Sequence, residues 1–270
     1  MSLRQFRPRR NTRRGLSNRQ STILFGLTAL AIAVQIYYPL AHGQLLRNIT
    51  LATVYLGAAA MLAHAYFAYG LRYLATYAIL TFSLALAIEI LGSKTGYPFG
   101  DYTYDHSLGF AVAGVPFVVP FAWMMMAHPI LIAARRVTAQ WTFLYGGAAL
   151  MAWDLFLDPQ MVSAHRWSWV LTGAHVPFEP EIPLSNAAGW LFAGMGLIAI
   201  LHLLLPKERR RIGASSTAPD IFIAWTLLSG IIGNLFFFHR PGVALFAGII
   251  FGALLAPYYF SITLGRPDYL

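Results

Sequence analysis

Eight stretches of this chain run for about twenty residues almost without charge, at roughly 22–41, 49–69, 72–92, 111–134, 141–158, 187–205, 219–238 and 242–263. A membrane-crossing helix needs about 20 apolar residues. In lipid every backbone polar group must be satisfied internally, which leaves helices or a closed barrel. The apolar runs show no period-2 alternation, so helices are expected. Charged residues make up 11% of the chain, against about 25% in a soluble domain. Such a chain cannot cover a water-facing surface. The fold class expected is all-α, a polytopic transmembrane bundle of about eight spans (seven if one run is not crossed). The expected divisions are a basic cytoplasmic tail at 1–20, a single transmembrane domain at 21–265 and a short cytoplasmic tail at 266–270. Pro116, Pro120 and Pro129 interrupt the fourth run, which should kink or start late; Pro257 lies inside the eighth.

The net charge of +9 is unevenly distributed. Fifteen basic residues fall on one side of an eight-span layout: Arg4, Arg7, Arg9, Arg10, Arg13, Arg14, Arg19, Arg72, Arg135, Arg136, Lys207, Arg209, Arg210, Arg211 and Arg266. Four fall on the other: Arg47, Lys94, Arg166 and Arg240. The positive-inside rule then puts both termini in the cytoplasm, in a multi-pass protein of the cell membrane. The basic tail is a topology signal, and no nucleic-acid partner is expected. The first apolar run is longer than a signal-peptide core, so it reads as a retained span.

The chain contains no cysteine, which excludes disulfides, thiolate catalysis and Cys-bound zinc or iron–sulfur clusters. Its acids cluster instead. Glu89, Asp101, Asp105, Asp154, Asp158, Glu179 and Glu181 fall on or near the non-cytoplasmic side, where the two longest loops, 93–110 and 159–186, also lie. Loops of this length in a compact protein often carry function, and here they should cap a pocket. Glu89 and Asp154 each lie about one turn below a helix end, at similar depth. Asp154 and Asp158 share a helix face. Ionisable residues in spans are costly and are functional-site candidates by default. The plainer reading is that they serve structure, bonded to loop aromatics or amides. Tyr and Trp prefer the interface for physical reasons alone, but their mixing here with Gly, Pro and acids suits a cap over an elongated apolar substrate.

No nucleotide-binding glycine fingerprint or P-loop is present. The eight histidines show no i, i+4 pair, so structural roles are expected and no metal site. Lys94 and Lys207 both lie in loops, which excludes a retinal Schiff base within a span. Paired diphosphate-binding Asp motifs are lacking. Transporter ion paths usually run near the midplane, whereas these carboxyls lie near one edge. Acid chemistry on a carbon–carbon double bond fits the residues. Burial favours the neutral acid, which can protonate an alkene. Aromatic faces can steady the cation. A second carboxyl can activate water or take a proton back.

Three blocks carry a resemblance: Glu89 to Tyr104 with its Thr-Gly-Tyr-Pro-Phe-Gly core; Trp153-Asp154 with Asp158-Pro159 and Trp167-x-Trp169; and Pro183-x-x-Asn186-x-x-Gly189-Trp190. From about residue 50 to 265 the chain resembles the membrane carotenoid biosynthesis proteins, a family that includes carotenoid 1,2-hydratases and bisanhydrobacterioruberin hydratases. The stretch Pro177-Phe178-Glu179-Pro180-Glu181 departs from the Tyr- and Gly-rich approach expected there. The resemblance implies hydration of a terminal isoprenoid double bond of an acyclic or monocyclic carotenoid. It implies no cofactor, a carotenoid and the bilayer as partners, and association with other membrane enzymes of the pathway. On chemistry and depth, Asp154 or Glu89 is expected as general acid, and Asp158 or the remaining carboxyl as the group that positions water. Tyr97, Phe99, Tyr102, Tyr104, Trp123, Trp153, Trp167, Trp169, Asn186 and Trp190 are expected to bind substrate. The alternatives are a membrane lycopene cyclase using the same protonation, and a transporter or lipid-binding protein without enzymatic activity.

Overall fold

A computed structural model of the chain describes residues 15–206 and 214–264. Arg4, Arg7, Arg9, Arg10, Arg13, Arg14, Lys207, Glu208, Arg209, Arg210, Arg211, Arg266 and Asp268 lie outside the described residues. Among the described residues the chain forms eight α-helices. They are α1 (Asn18–Tyr37), α2 (Gly43–Tyr69), α3 (Leu71–Thr95), α4 (Val119–Val137), α5 (Thr142–Ser163), α6 (Leu184–Leu204), α7 (Thr217–Ile232) and α8 (Pro241–Thr263). A π-helical turn, Gly233–Phe237, continues α7. The start of α1 is capped reciprocally: Gln20 N donates to Ser17 Oγ at 3.2 Å, and Ser17 N donates to Gln20 Oε1 at 3.1 Å.

All helices except α4 and α5 are long and apolar enough to cross a membrane, counting the terminal turns of α1 and α7. The two exceptions are the centre of the bundle. Helix α4 packs against α2, α3, α5, α7 and α8, and α5 packs against α6 and α8. Surrounded by protein, they can carry polar residues that a lipid-facing helix would expose at high cost. The whole is a polytopic helical membrane protein.

The fourth helix starts late. Residues 111–118 do not extend it. They form a hairpin of β2 (Ala111–Val112) and β3 (Val115–Pro116), turning on Ala113 and Gly114 at positive φ, after the strand β1 (Tyr102–Tyr104). Pro120 then falls in the first turn of α4, where a missing N–H costs nothing. Pro129 stays inside the helix, and Tyr77 Oη of α3 donates to Met124 O in the turn before it, at 2.6 Å. Helix α5 runs through Pro159 to Ser163, beyond the expected end at 158. Asp158 therefore stands five residues before the end of α5 and Glu89 six before the end of α3. The depth match is between Glu89 and Asp158, with Asp154 a turn deeper.

Polar contacts gather at the two ends of the bundle. At one, Arg47 donates to Ser107 O, Arg166 Nη1 donates to Ser107 Oγ at 2.8 Å, and Arg240 pairs with Glu179 and donates to Ser163 Oγ at 2.7 Å. These arginines fasten the long loops. At the other end Arg135 Nε donates to His202 Nδ1 at 3.3 Å and Arg136 Nε to Ser261 Oγ at 2.8 Å. The long loops are folded rather than open. Strand β1 pairs with β4 (Trp167–Trp169), and β5 (His175–Val176) pairs with β6 (Glu179–Pro183).

Candidate active site

The site is assembled where the loop ribbon meets α3, α4, α5 and α6. In the antiparallel β1–β4 pair, Tyr102 stands opposite Trp169 and Tyr104 opposite Trp167. Alternate residues of a strand share a face, so all four rings project from one side of the ribbon. Tyr102 Oη donates to Glu89 Oε2 at 2.6 Å and Tyr104 Oη to the same oxygen at 2.8 Å. Trp123 Nε1, from α4, donates to Glu89 Oε1 at 3.0 Å. One buried carboxyl thus receives three donors from two elements. Burial first, then the neighbouring Glu89, hold the Tyr102 and Tyr104 phenols well above the usual tyrosine range, so both remain donors.

The second carboxyl group is a pair. Asn186 Nδ2, in the first turn of α6, donates to Asp154 Oδ2 at 3.0 Å and also to Asp158 Oδ2. Trp167 Nε1 donates to Asp158 Oδ1 at 3.1 Å. Asp154 Oδ1 is buried with no hydrogen-bond partner among the described residues. A carboxyl oxygen in that state is uncommon in a folded protein. Asp154 and Asp158 share Asn186 as a common donor.

Phe99 locks the ribbon to the helices. Its ring lies between two glycines: a Cβ on Gly92 of α3 would meet Phe99 Cδ2 at 2.8 Å, and one on Gly189 of α6 would meet Phe99 Cδ1 at 2.7 Å. Trp169 Nε1 donates to Phe99 O at 3.1 Å. Beneath it Trp123 and Trp190 stack with ring centroids 4.2 Å apart and planes at 10°, and Trp153 meets Trp190 edge-on at 5.7 Å.

These groups surround a cavity of roughly 310 Å³, within the size range of small-molecule sites. Glu89, Phe99, Tyr102, Tyr104, Trp123, Trp153, Asp158, Trp167, Trp169, Asn186 and Trp190 all stand on its wall. Asp154 stands behind Asp158 and Asn186, off the wall. Tyr97 is 71% exposed and apart from the cavity; the tight turn at Gly96 and Gly100 points it outward while Phe99 turns in. The far wall comes from residues that the sequence did not single out: Gln35 of α1, Thr50 and Thr53 of α2, Phe156 of α5, and Trp225 and Ser229 of α7. The signal available was weak, a glutamine and hydroxyls spaced singly in apolar helices.

Among the described residues no three His, Cys, Asp or Glu side chains are grouped so as to hold a metal ion. The arrangement can accept and donate protons at carboxyl oxygens inside an aromatic, largely apolar cavity.

A family model described as "Carotenoid biosynthesis protein" matches residues 49–259. The bisanhydrobacterioruberin hydratase of Haloarcula japonica is 31% identical over 159 residues, which are 56% of this chain and 52% of that protein. The chain thus spans about half the length of the curated relative it matches. No solved structure matches the chain.

Proposed function

The chain belongs to the carotenoid biosynthesis protein family, and from that premise we propose that it is a hydratase, adding water across the terminal isoprenoid double bond of an acyclic or monocyclic carotenoid. One observation carries the reading. Asp158 and Glu89, from different helices, lie on one aromatic-walled cavity, and each is held by its own donors from the same ribbon.

The chemistry divides between them. Asp158, in its acid form, gives its proton to the CH carbon of the terminal double bond. The π pair becomes the new C–H bond, and the cation forms at the dimethyl-substituted carbon. The faces of Trp123, Trp153 and Trp190 stabilise it. Water attacks that carbon through oxygen, and its surplus proton passes to Glu89 as general base. The product is a tertiary alcohol. Asp158 ends deprotonated and Glu89 protonated, and one proton returned from Glu89 to the aspartate pair restores the start. No electron is gained or lost, so the step calls for no redox partner. The acid proposed is Asp158, where Asp154 or Glu89 is expected from chemistry and depth: Asp158 stands on the wall with Asp154 behind it, and Glu89, held by three donors, is the base. Asn186 is a positioning residue that fixes both aspartates.

The asymmetry of basic residues supports a cell-membrane location with both termini cytoplasmic, and the carboxyl cavity beneath the outer leaflet. The bilayer supplies the substrate, and contacts with other membrane enzymes of the pathway would pass it on.

The test is expression in a host that makes acyclic carotenoids, with the pigments read by mass spectrometry. A gain of one water at a terminal group is expected. An unchanged mass with a blue-shifted spectrum would mean ring closure by the same protonation. Pigments unchanged in both mass and spectrum across several acyclic substrates would overturn the enzymatic reading.

A further inference from the structure

The cavity does not end at the carboxyls. It continues past Phe156 and Trp225 to the seam between α1 and α7, where Ile36, Ile232 and Phe237 complete its wall. These three are also 58%, 39% and 48% exposed. A side chain that lines a cavity and is open to the outside marks the mouth. Both helices have the length and composition of membrane spans, and the mouth lies between their last turns.

Little of α1 is buried at this end of the seam. Helix α1 buries only Leu24, Thr28 and Ala31, all of them earlier in the helix than the mouth. A polar tie crosses the seam there: Trp225 Nε1 donates to Gln35 Oε1 at 2.6 Å. On the other side α7 gives way to the π turn Gly233–Phe237, a distortion that recurs at functional sites because it re-aims side chains at some cost in stability. Just before it, Gly230 lies flat on Phe156, whose Cγ would be 2.8 Å from any Cβ there. The same turn of α7 thus presses on the cavity's middle and opens its end.

We propose that the α1–α7 seam is the polyene subsite and the entrance from the bilayer. The carotenoid enters sideways, its end group reaches Asp158 and Glu89, and the remaining polyene passes out between Ile36 and Phe237 into lipid. The chemical class of the occupant rests on the hydratase reading above. The cavity is open at its α1–α7 end, where Ile36, Ile232 and Phe237 are both wall and outer surface, so a chain longer than the cavity can continue outward. It follows that the site reads the end group entering it and is indifferent to the far end, so acyclic and monocyclic substrates are handled alike.

The absence of cysteine from the chain makes the test direct. Ile232→Cys and Phe237→Cys, in separate full-length proteins, each introduce a single thiol at the seam. Leu245→Cys, on a 61% exposed position of α8 away from the cavity wall, is the comparison. Each purified protein is treated with a bulky maleimide, labelling is read by intact mass, and an acyclic carotenoid is presented in liposomes. Two quantities are followed: pigment retained by the protein and water added. Labelling at 232 or 237 should abolish both, relative to the same protein before labelling, and labelling at 245 should change neither. Undiminished pigment uptake by fully labelled seam variants overturns the entrance. If unlabelled protein takes up pigment at the seam without adding water, the entrance stands and the hydratase reading fails. If labelled seam variants still hydrate, the reverse holds.

Discussion

Tyr104 and Trp167 face each other across the β1–β4 ribbon, rings edge-on with centroids 5.7 Å apart, and each donates to a different carboxyl: Tyr104 Oη to Glu89 and Trp167 Nε1 to Asp158. The two carboxyls are therefore positioned by one piece of backbone. A shift of the ribbon moves both. Tyr104→Phe and Trp167→Phe should each slow hydration, and their effects should not add. The coupling expected is about 0.5–3 kcal/mol, read from a double-mutant cycle on the hydration rate. Strict additivity would mean that the two carboxyls are held independently.

The two aspartates should respond differently to neutralisation. Asp158→Asn removes the proposed acid at the wall and should lower the rate by about 10²–10⁴-fold while pigment is still retained. Asp154→Asn leaves the wall intact and should cost less. Single-turnover assays with purified protein, alongside pigment retention, separate the two.

Gly189 is a packing position. A Cβ there would stand 2.7 Å from Phe99 Cδ1 and 2.8 Å from Pro98 O, and the neighbour at Pro98 is backbone. Gly189→Val should destabilise by about 1–3 kcal/mol through overpacking, seen as a lower Tm in detergent. Because Phe99 carries the ribbon, pigment retention should fall as well. Gly196, where an added methyl would meet nothing within 4 Å, should accept Ala without either effect.

The alkaline limb of stability offers a further check. The folded protein holds the Tyr102 and Tyr104 protons well above the ordinary tyrosine range, by burial and then by Glu89. The unfolded chain releases them at about pH 10. Below that pH both states carry these protons, so their contribution does not change. Above it the unfolded state binds fewer protons than the folded one, and stability falls as pH rises. The doubly substituted Tyr102→Phe, Tyr104→Phe protein should show a shallower fall in thermal scans through this range.

Most of the site's chemistry was legible in the sequence because polar residues are rare in so apolar a chain. Glu89, Asp158 and Asn186 stood out against their helices, and the aromatic blocks beside them marked the loops. What could not be read was pairing at a distance. Nothing local says that Tyr102 meets Trp169 or that Gln35 meets Trp225. Likewise His64 Nδ1 and His128 Nε2 lie 2.8 Å apart although they share no helical spacing. The fifth run is expected to stop at 158, whereas inside the bundle α5 continues through Pro159 to Ser163. Tyr97 misled because composition cannot tell which ring of a turn faces in.

The most direct measurement is hydration of an acyclic carotenoid by purified protein in D2O, with the product's deuterium located by mass spectrometry and NMR. One carbon-bound deuterium next to the new tertiary carbinol is expected, with its near-complete loss in Asp158→Asn. A hydroxylated product without that deuterium, or equal incorporation by Asp158→Asn, would contradict proton delivery from the aspartate on the cavity wall.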